Sequence, residues 1–118
     1  TDEAFRETAR MMSEGMTNNP EKKDTILHWS LIADRKTYVY GFTDLLKLDL
    51  RPVLSKITAP TLILGAPFPD KQVVLSNFEK QYANLANKTI EIADDSRHFI
   101  MFDQPAWFYE KVNTFLSK

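Results

Sequence analysis

The sequence predicts an α/β protein, with helices over residues 1–48 and alternating strands and helices over residues 49–118. Apolar side chains recur at helical spacing in the first part, whereas short continuous apolar runs replace that period after Pro60. The 118 residues are 43% hydrophobic and 26% charged, which is typical of a soluble globular protein.

Three helices are predicted in residues 1–48. The first carries a stripe of apolar side chains at Phe5, Ala9, Met12 and Met16. Asn19 followed by Pro20 predicts the start of a second helix, because a capping side chain precedes a residue that has no N–H to satisfy. The third helix is expected after Asp34, with Tyr38, Phe42 and Leu45 aligned along it.

The second part predicts strand, helix, strand and helix in that order. Thr61–Gly65 is a continuous apolar run, as in a parallel strand that is buried on both faces, and Lys88–Ile92 predicts the second strand. A helix is expected between them from Asp70. A closing helix from Pro105 is expected to bury Phe108, Val112 and Phe115. This order is typical of a parallel sheet.

A sheet of two parallel strands leaves strand edges and apolar surface uncovered. We therefore expect either a homo-oligomer or association with a missing N-terminal half that supplies further strands. Because the chain begins at Thr1 without an initiator Met, we expect it to be part of a longer protein.

The composition argues against several classes of function. Fifteen basic and sixteen acidic residues give a net charge of -1, so nucleic acid is not an expected partner. The absence of cysteine excludes disulfides and thiolate chemistry, and the two histidines are too far apart in sequence for a metal motif. No apolar run reaches the roughly 18 residues that a membrane span needs. We expect a cytoplasmic protein without metal or cofactor.

Several short segments of the second part occur in a distinctive order. They are Asp49-Leu50-Arg51-Pro52, Ile57-Thr58-Ala59-Pro60-Thr61-Leu62-Ile63-Leu64-Gly65, Ile90-Glu91-Ile92, His98-Phe99 and Asp103-Gln104-Pro105. In this order and spacing they resemble the C-terminal portion of the α/β-hydrolase superfamily. The resemblance implies that residues 49–118 hold the last two strands of the hydrolase core and that residues 1–48 form a helical cap or lid.

The resemblance also implies a catalytic triad, in which nucleophile, acid and histidine follow one another along the chain. His98 matches the family histidine after the last strand and is predicted to be the general base. Asp70 is a candidate for the acid, and capping of the helix that follows is an equal alternative. Some family members place the acid after the preceding strand instead, which would lie outside this chain.

The loop before His98 departs from the family pattern. Family members often carry a Gly just ahead of the histidine, where this chain has Asp94-Asp95-Ser96-Arg97. Asp95 can contact the imidazole or a substrate, or it can be a solvated loop charge. The other histidine, His28, is expected in a packing or surface role.

The nucleophile is not predicted within these residues. The sequence contains no Gly-x-Ser-x-Gly, and its three glycines cannot form the tight strand-to-helix turn that exposes the serine. The oxyanion hole is expected elsewhere for the same reason. The isolated chain is therefore predicted to be inactive.

The predicted function is that of an esterase-like or lipase-like acyl hydrolase acting on a small-molecule ester or acyl substrate. Phe68, Phe99 and Trp29 are predicted to contact that substrate, and the remaining apolar side chains of the first part fit either a pocket or ordinary packing. Two alternatives stay open. One is a dehalogenase-like or carbon–carbon hydrolase, and the other is a non-catalytic assembly segment.

Overall fold

The computed structural model describes residues 1–117 and shows a mainly helical protein with a small parallel sheet. Its elements are α1 (Asp2–Met16), α2 (Pro20–Ile32), α3 (Arg35–Lys47), a 3-10 helix (Arg51–Lys56), β1 (Thr61–Gly65), α4 (Lys71–Gln81), β2 (Lys88–Ile92), α5 (Ile100–Asp103) and α6 (Pro105–Leu116). The coarse α/β prediction is confirmed, with helices in residues 1–48 and the two strands after them.

The helix starts follow the capping residues in the sequence. The Asn19 side chain accepts hydrogen bonds from the N–H groups of Glu21 and Lys22 at 3.0 and 3.3 Å. Asp34 accepts from the N–H of Thr37 at 2.9 Å. These bonds satisfy backbone donors that a helix leaves unpaired in its first turn, which explains why local sequence predicted the boundaries well.

The first two helices form a helical hairpin, defined here as α1, the connection Thr17 to Asn19, and α2. The third helix contacts it near the N-terminus of α1. Asp2 and Arg35 form an ion pair at 2.7 Å, and the rings of Phe5 and Tyr38 meet edge to face with centroids 5.8 Å apart. These contacts are few, and α3 has no buried side chain.

The sheet consists of β1 and β2 in parallel, with Thr61 opposite Lys88 and Gly65 opposite Ile92. Helix α4 covers one face, where its Phe78 approaches both Gly65 and the Ile92 side chain. Helix α6 lies on the other face, because Glu91 points opposite to Ile92 and forms a 2.7 Å ion pair with Lys111. Helix α4 therefore packs on one face of the sheet, whereas α6 is joined to β2 by this ion pair.

Burial is lower than the sequence predicted. The strand β1 is fully buried only at Gly65, so the prediction that both of its faces are buried is wrong. No side chain of α6 is fully buried, and Phe42 and Leu45 of α3 are 47% and 63% exposed. The physical reason is that few side chains within residues 1–117 pack against these surfaces.

The molecule exposes more surface than its mass requires. Its accessible area is 8664 Å², whereas a folded monomer of 13.7 kDa is expected to expose about 6,600 Å². Its radius of gyration is 16.3 Å, against roughly 13.5 Å for a compact domain of this length. The difference of about 2,000 Å² exceeds the roughly 800 Å² that one partner contributes to a standard protein interface. Self-association, or association with further strands, stays a prediction.

Within the described part of the chain, no helix combines the length and the apolar character that crossing a membrane requires.

Gly65 is expected to tolerate substitution poorly. A Cβ atom there would lie 2.7 Å from atoms of both the Ile92 and the Phe78 side chains, so Gly65→Ala forces these side chains to shift. We expect a loss of about 1–3 kcal/mol in the free energy of unfolding, measured by urea denaturation. Gly41→Ala is the control, because nothing lies within 4 Å of its Cβ position and Ala is the better helix former. Equal unfolding midpoints for the two variants would contradict this packing.

Candidate active site

A cleft of about 870 Å³ opens at the carboxyl ends of both strands. Its walls come from the end of α1, from the segments that follow β1 and β2, and from α4. The lining side chains that matter below are Leu64, Phe68, Val74, Phe78, Ser96 and His98. Parallel strands bring their carboxyl ends to one edge of a sheet, and open α/β proteins commonly bind ligands there. The cleft is therefore the best candidate for a ligand-binding site in the described residues.

His98 is exposed at the wall of this cleft, on the loop that follows β2. Its ring meets the ring of Phe99 edge to face, with centroids 5.3 Å apart. Among residues 1–117 no side chain or backbone group is hydrogen-bonded to the imidazole. Both ring nitrogens are therefore free to bind a substrate or a group from another polypeptide.

Asp70 lies at the start of α4 and caps it. Its Oδ1 accepts hydrogen bonds from the N–H groups of Gln72 and Val73 at 2.8 and 3.0 Å. The capping alternative is confirmed by these bonds. Asp70 does not line the cleft and is not bonded to His98, so the structure does not bring the two predicted triad residues together. The role of Asp70 as the acid stays a prediction.

The three aromatic residues predicted to contact substrate separate into two places. Phe68 lines the cleft and is 84% exposed. Trp29 and Phe99 instead pack with Phe102, and each of the three ring pairs has centroids 5.3 to 6.2 Å apart. This aromatic cluster joins α2 to α5 beside the cleft. Trp29 and Phe99 therefore pack against other aromatic rings, whereas Phe68 can contact a ligand in the cleft.

The loop before the histidine contains the one left-handed residue among the non-glycine residues described. Asp95 has a φ of 43°, a region that glycine adopts freely and that Asp adopts more readily than most residues. Its carbonyl accepts hydrogen bonds from the side-chain amides of Asn18 and Gln104, both at 3.3 Å. The left-handed residue occurs in the segment where the resemblance implies a glycine.

Sequence reasoning missed two residues at the cleft. Ser96 is 5% exposed, and within residues 1–117 its hydroxyl has no hydrogen-bond partner. Asn18 accepts a 2.7 Å hydrogen bond from the Nε of Arg97, across a separation of 79 residues. No local pattern indicates a functional role for either residue, because the sequence around Asn18 is typical of a helix end and that around Ser96 is typical of a polar loop.

Comparison with protein-family models, curated proteins and solved structures finds no match to this chain. In the described residues no group of three side chains is arranged to hold a metal ion.

Substitution of Asp70 separates capping from catalysis. Asp70→Ala removes the acceptor for two helix N–H groups and is expected to lower the free energy of unfolding by about 1 kcal/mol. Asp70→Asn retains the acceptor and is expected to keep most of the stability. Urea denaturation of both variants measures this. An equal loss in the two variants would show that the negative charge, and not the cap, matters.

Asp95 gives a second test of the loop. Asp95→Gly is expected to unfold at a higher urea concentration than Asp95→Ala, by about 1 kcal/mol in the free energy of unfolding, because only Ala carries a Cβ that clashes in this conformation. The reverse order would contradict the left-handed backbone.

Proposed function

We propose that this chain is part of an α/β-hydrolase in which His98 acts as the general base in the hydrolysis of a small-molecule ester. The observation that supports this most is the exposed imidazole in the cleft, at the carboxyl ends of both parallel strands. Acyl hydrolysis needs a base that can take a proton from a nucleophile and return it to the leaving group. An accessible imidazole suits that role.

The walls of the cleft suit an apolar acyl group. Leu64, Val74 and Phe78 are among its apolar lining residues, and Phe68 is exposed on the loop after β1. Burial of such a group beside the imidazole would hold the scissile carbon near the base and exclude water. This arrangement favours an ester with an aliphatic or aromatic acyl part over a highly charged substrate.

In this proposal the nucleophile and the oxyanion hole come from polypeptide outside residues 1–118, and the free edge of β1 supports that. The N–H of Thr61 bonds to Asn87 at 2.8 Å, and the carbonyl of Gly65 accepts from Ala93 at 2.9 Å. Alternation along the strand then directs the backbone groups of Leu62 and Leu64 away from β2, towards an edge that has room for another strand.

Two further observations support completion of the site from outside. The hydroxyl of Ser96 is buried at the cleft without a partner in the described residues, and such groups normally have one. Oδ1 of Asp70 is engaged at the helix start, which supports the alternative in which the acid follows an earlier strand. The excess accessible surface described above is large enough for such a partner.

The proposal is tested by His98→Gln in the protein that contains this chain. We expect kcat for p-nitrophenyl butyrate to fall by at least about 100-fold, because the base is lost while the cleft keeps its shape. His28→Gln is the matched control, since His28 is exposed on α2 and does not line the cleft. Its kcat is expected to stay within about twofold of the parent value. Equal activity in all three proteins would overturn the proposal.

A fluorophosphonate probe identifies the nucleophile in the same experiment. If the intact protein is a serine hydrolase, the probe is expected to label it. The isolated 118-residue chain is expected to remain unlabelled. Halide release from a haloalkane without fluorophosphonate labelling would indicate the dehalogenase alternative, which uses a carboxylate nucleophile.

The exposed apolar side chains of α3 favour a second candidate, a non-catalytic assembly segment. Val39, Phe42 and Leu46 are all more than 45% exposed, and a solvent-facing helix seldom carries so many apolar residues. This candidate predicts binding without turnover, and it is favoured if the parent protein does not hydrolyse the ester.

A further inference from the structure

Asp103 lies at the end of α5, and its carboxylate joins two distant parts of the chain. One oxygen, Oδ1, accepts hydrogen bonds from the hydroxyl of Thr17 and from the N–H of Asn18 at 2.9 Å. The other, Oδ2, accepts from the N–H of Arg97 at 2.7 Å. The first two donors belong to the turn of the helical hairpin, and the third belongs to the residue directly before His98.

The hairpin turn is itself well ordered by hydrogen bonds. Thr17 is fully buried, and its hydroxyl oxygen also accepts from the N–H of Asn19 at 3.1 Å. The side chain of Asn18 contacts the histidine loop through Arg97 and the carbonyl of Asp95. Asp103 therefore binds a turn whose own position is defined by further contacts.

His98 lies between two backbone N–H groups that are both held by bonds across the chain. The N–H of Arg97 donates to Asp103, and the N–H of Phe99 donates to the carbonyl of Met16 at 3.0 Å. Both bonds connect the histidine loop, directly or through one carboxylate, to the end of α1. A shift of the hairpin turn must then move the backbone on each side of the imidazole.

We propose that Asp103 is a positioning residue whose carboxylate holds His98 in the cleft by fastening the histidine loop to the turn between α1 and α2. Bonds to an ionised carboxylate are shorter and stronger than neutral ones, and this carboxylate has three donors from two segments. The helical hairpin and the general base consequently move together. The catalytic meaning of this coupling rests on the proposed function, whereas the coupling itself does not.

The two histidines of the chain supply an internal reference for the test. Asp103→Asn has one carbonyl oxygen and an amide donor, so it cannot accept all three bonds. We expect the ring-proton resonances of His98 to shift in NMR spectra, because the ring moves relative to the Phe99 ring beside it. The resonances of His28 are expected to stay in place. Amide exchange at Arg97 and Phe99 is expected to accelerate by roughly tenfold or more.

Asp49→Asn is the matched control. The Asp49 carboxylate also accepts three hydrogen bonds, all from Arg51, and these bonds lower the pKa of Asp49 to about 2. It lies beside the 3-10 helix and does not contact the histidine loop. A His98 shift in Asp103→Asn no larger than in Asp49→Asn, with both proteins folded by circular dichroism, would overturn the proposal.

A second pair of variants tests the positioning role of Asp103 if Asp103→Asn does not fold. Thr17→Val keeps the side-chain shape and removes one donor to Asp103, whereas Thr17→Ser keeps the hydroxyl. We expect the His98 resonances to shift in the Val variant and to return towards the parent positions in the Ser variant. Identical spectra for the two would contradict the role of this bond.

Turnover measurements then separate the two proposals. If the His98 resonances move in Asp103→Asn but His98→Gln leaves ester hydrolysis unchanged, the proposed function fails and the positioning role stands. If His98→Gln abolishes turnover while Asp103→Asn changes neither the resonances nor kcat, the positioning role fails and the proposed function stands.

Discussion

The parallel pairing of β1 with β2 is the constraint on which the rest of the structure depends. Because Gly65 lies opposite Ile92, the loops that follow the two strands leave the sheet at the same edge. That edge is where Phe68 and His98 line one cleft, although they are thirty residues apart in sequence. The close approach of α4 to the strands requires the missing side chain of Gly65, so a single glycine contributes to both packing and site geometry.

A second set of contacts connects the site to the helical hairpin. Asp103 accepts hydrogen bonds from the hairpin turn and from the histidine loop, and the aromatic cluster of Trp29, Phe99 and Phe102 packs α2 against the same region. The polar bonds set the position of the loop, and the stacked rings cover it. The helical hairpin therefore supports the candidate active site directly. A cap that moved independently of the sheet would not make these contacts.

Much of the apolar surface of the molecule remains exposed. Among the described residues no further strand pairs with the outer edge of β1, several apolar side chains of α3 are exposed, and the total accessible area exceeds that of a compact monomer. These features, together with a histidine that has no carboxylate partner in residues 1–117, favour a site completed by further polypeptide. The proposed membership in the α/β-hydrolases would account for these observations together.

The sequence by itself determined the helix starts, both strands and the position of the histidine after the second strand. These properties are local, since Asn19, Asp34 and Asp70 cap helices through bonds to residues two or three positions away. Only the tertiary structure decided that Asp70 does not line the cleft with His98 and that Trp29 packs on Phe99. It also revealed the bond from the N–H of Asn18 to the carboxylate of Asp103, 85 residues further along the chain, because such a bond depends on chain topology and leaves no periodic signal.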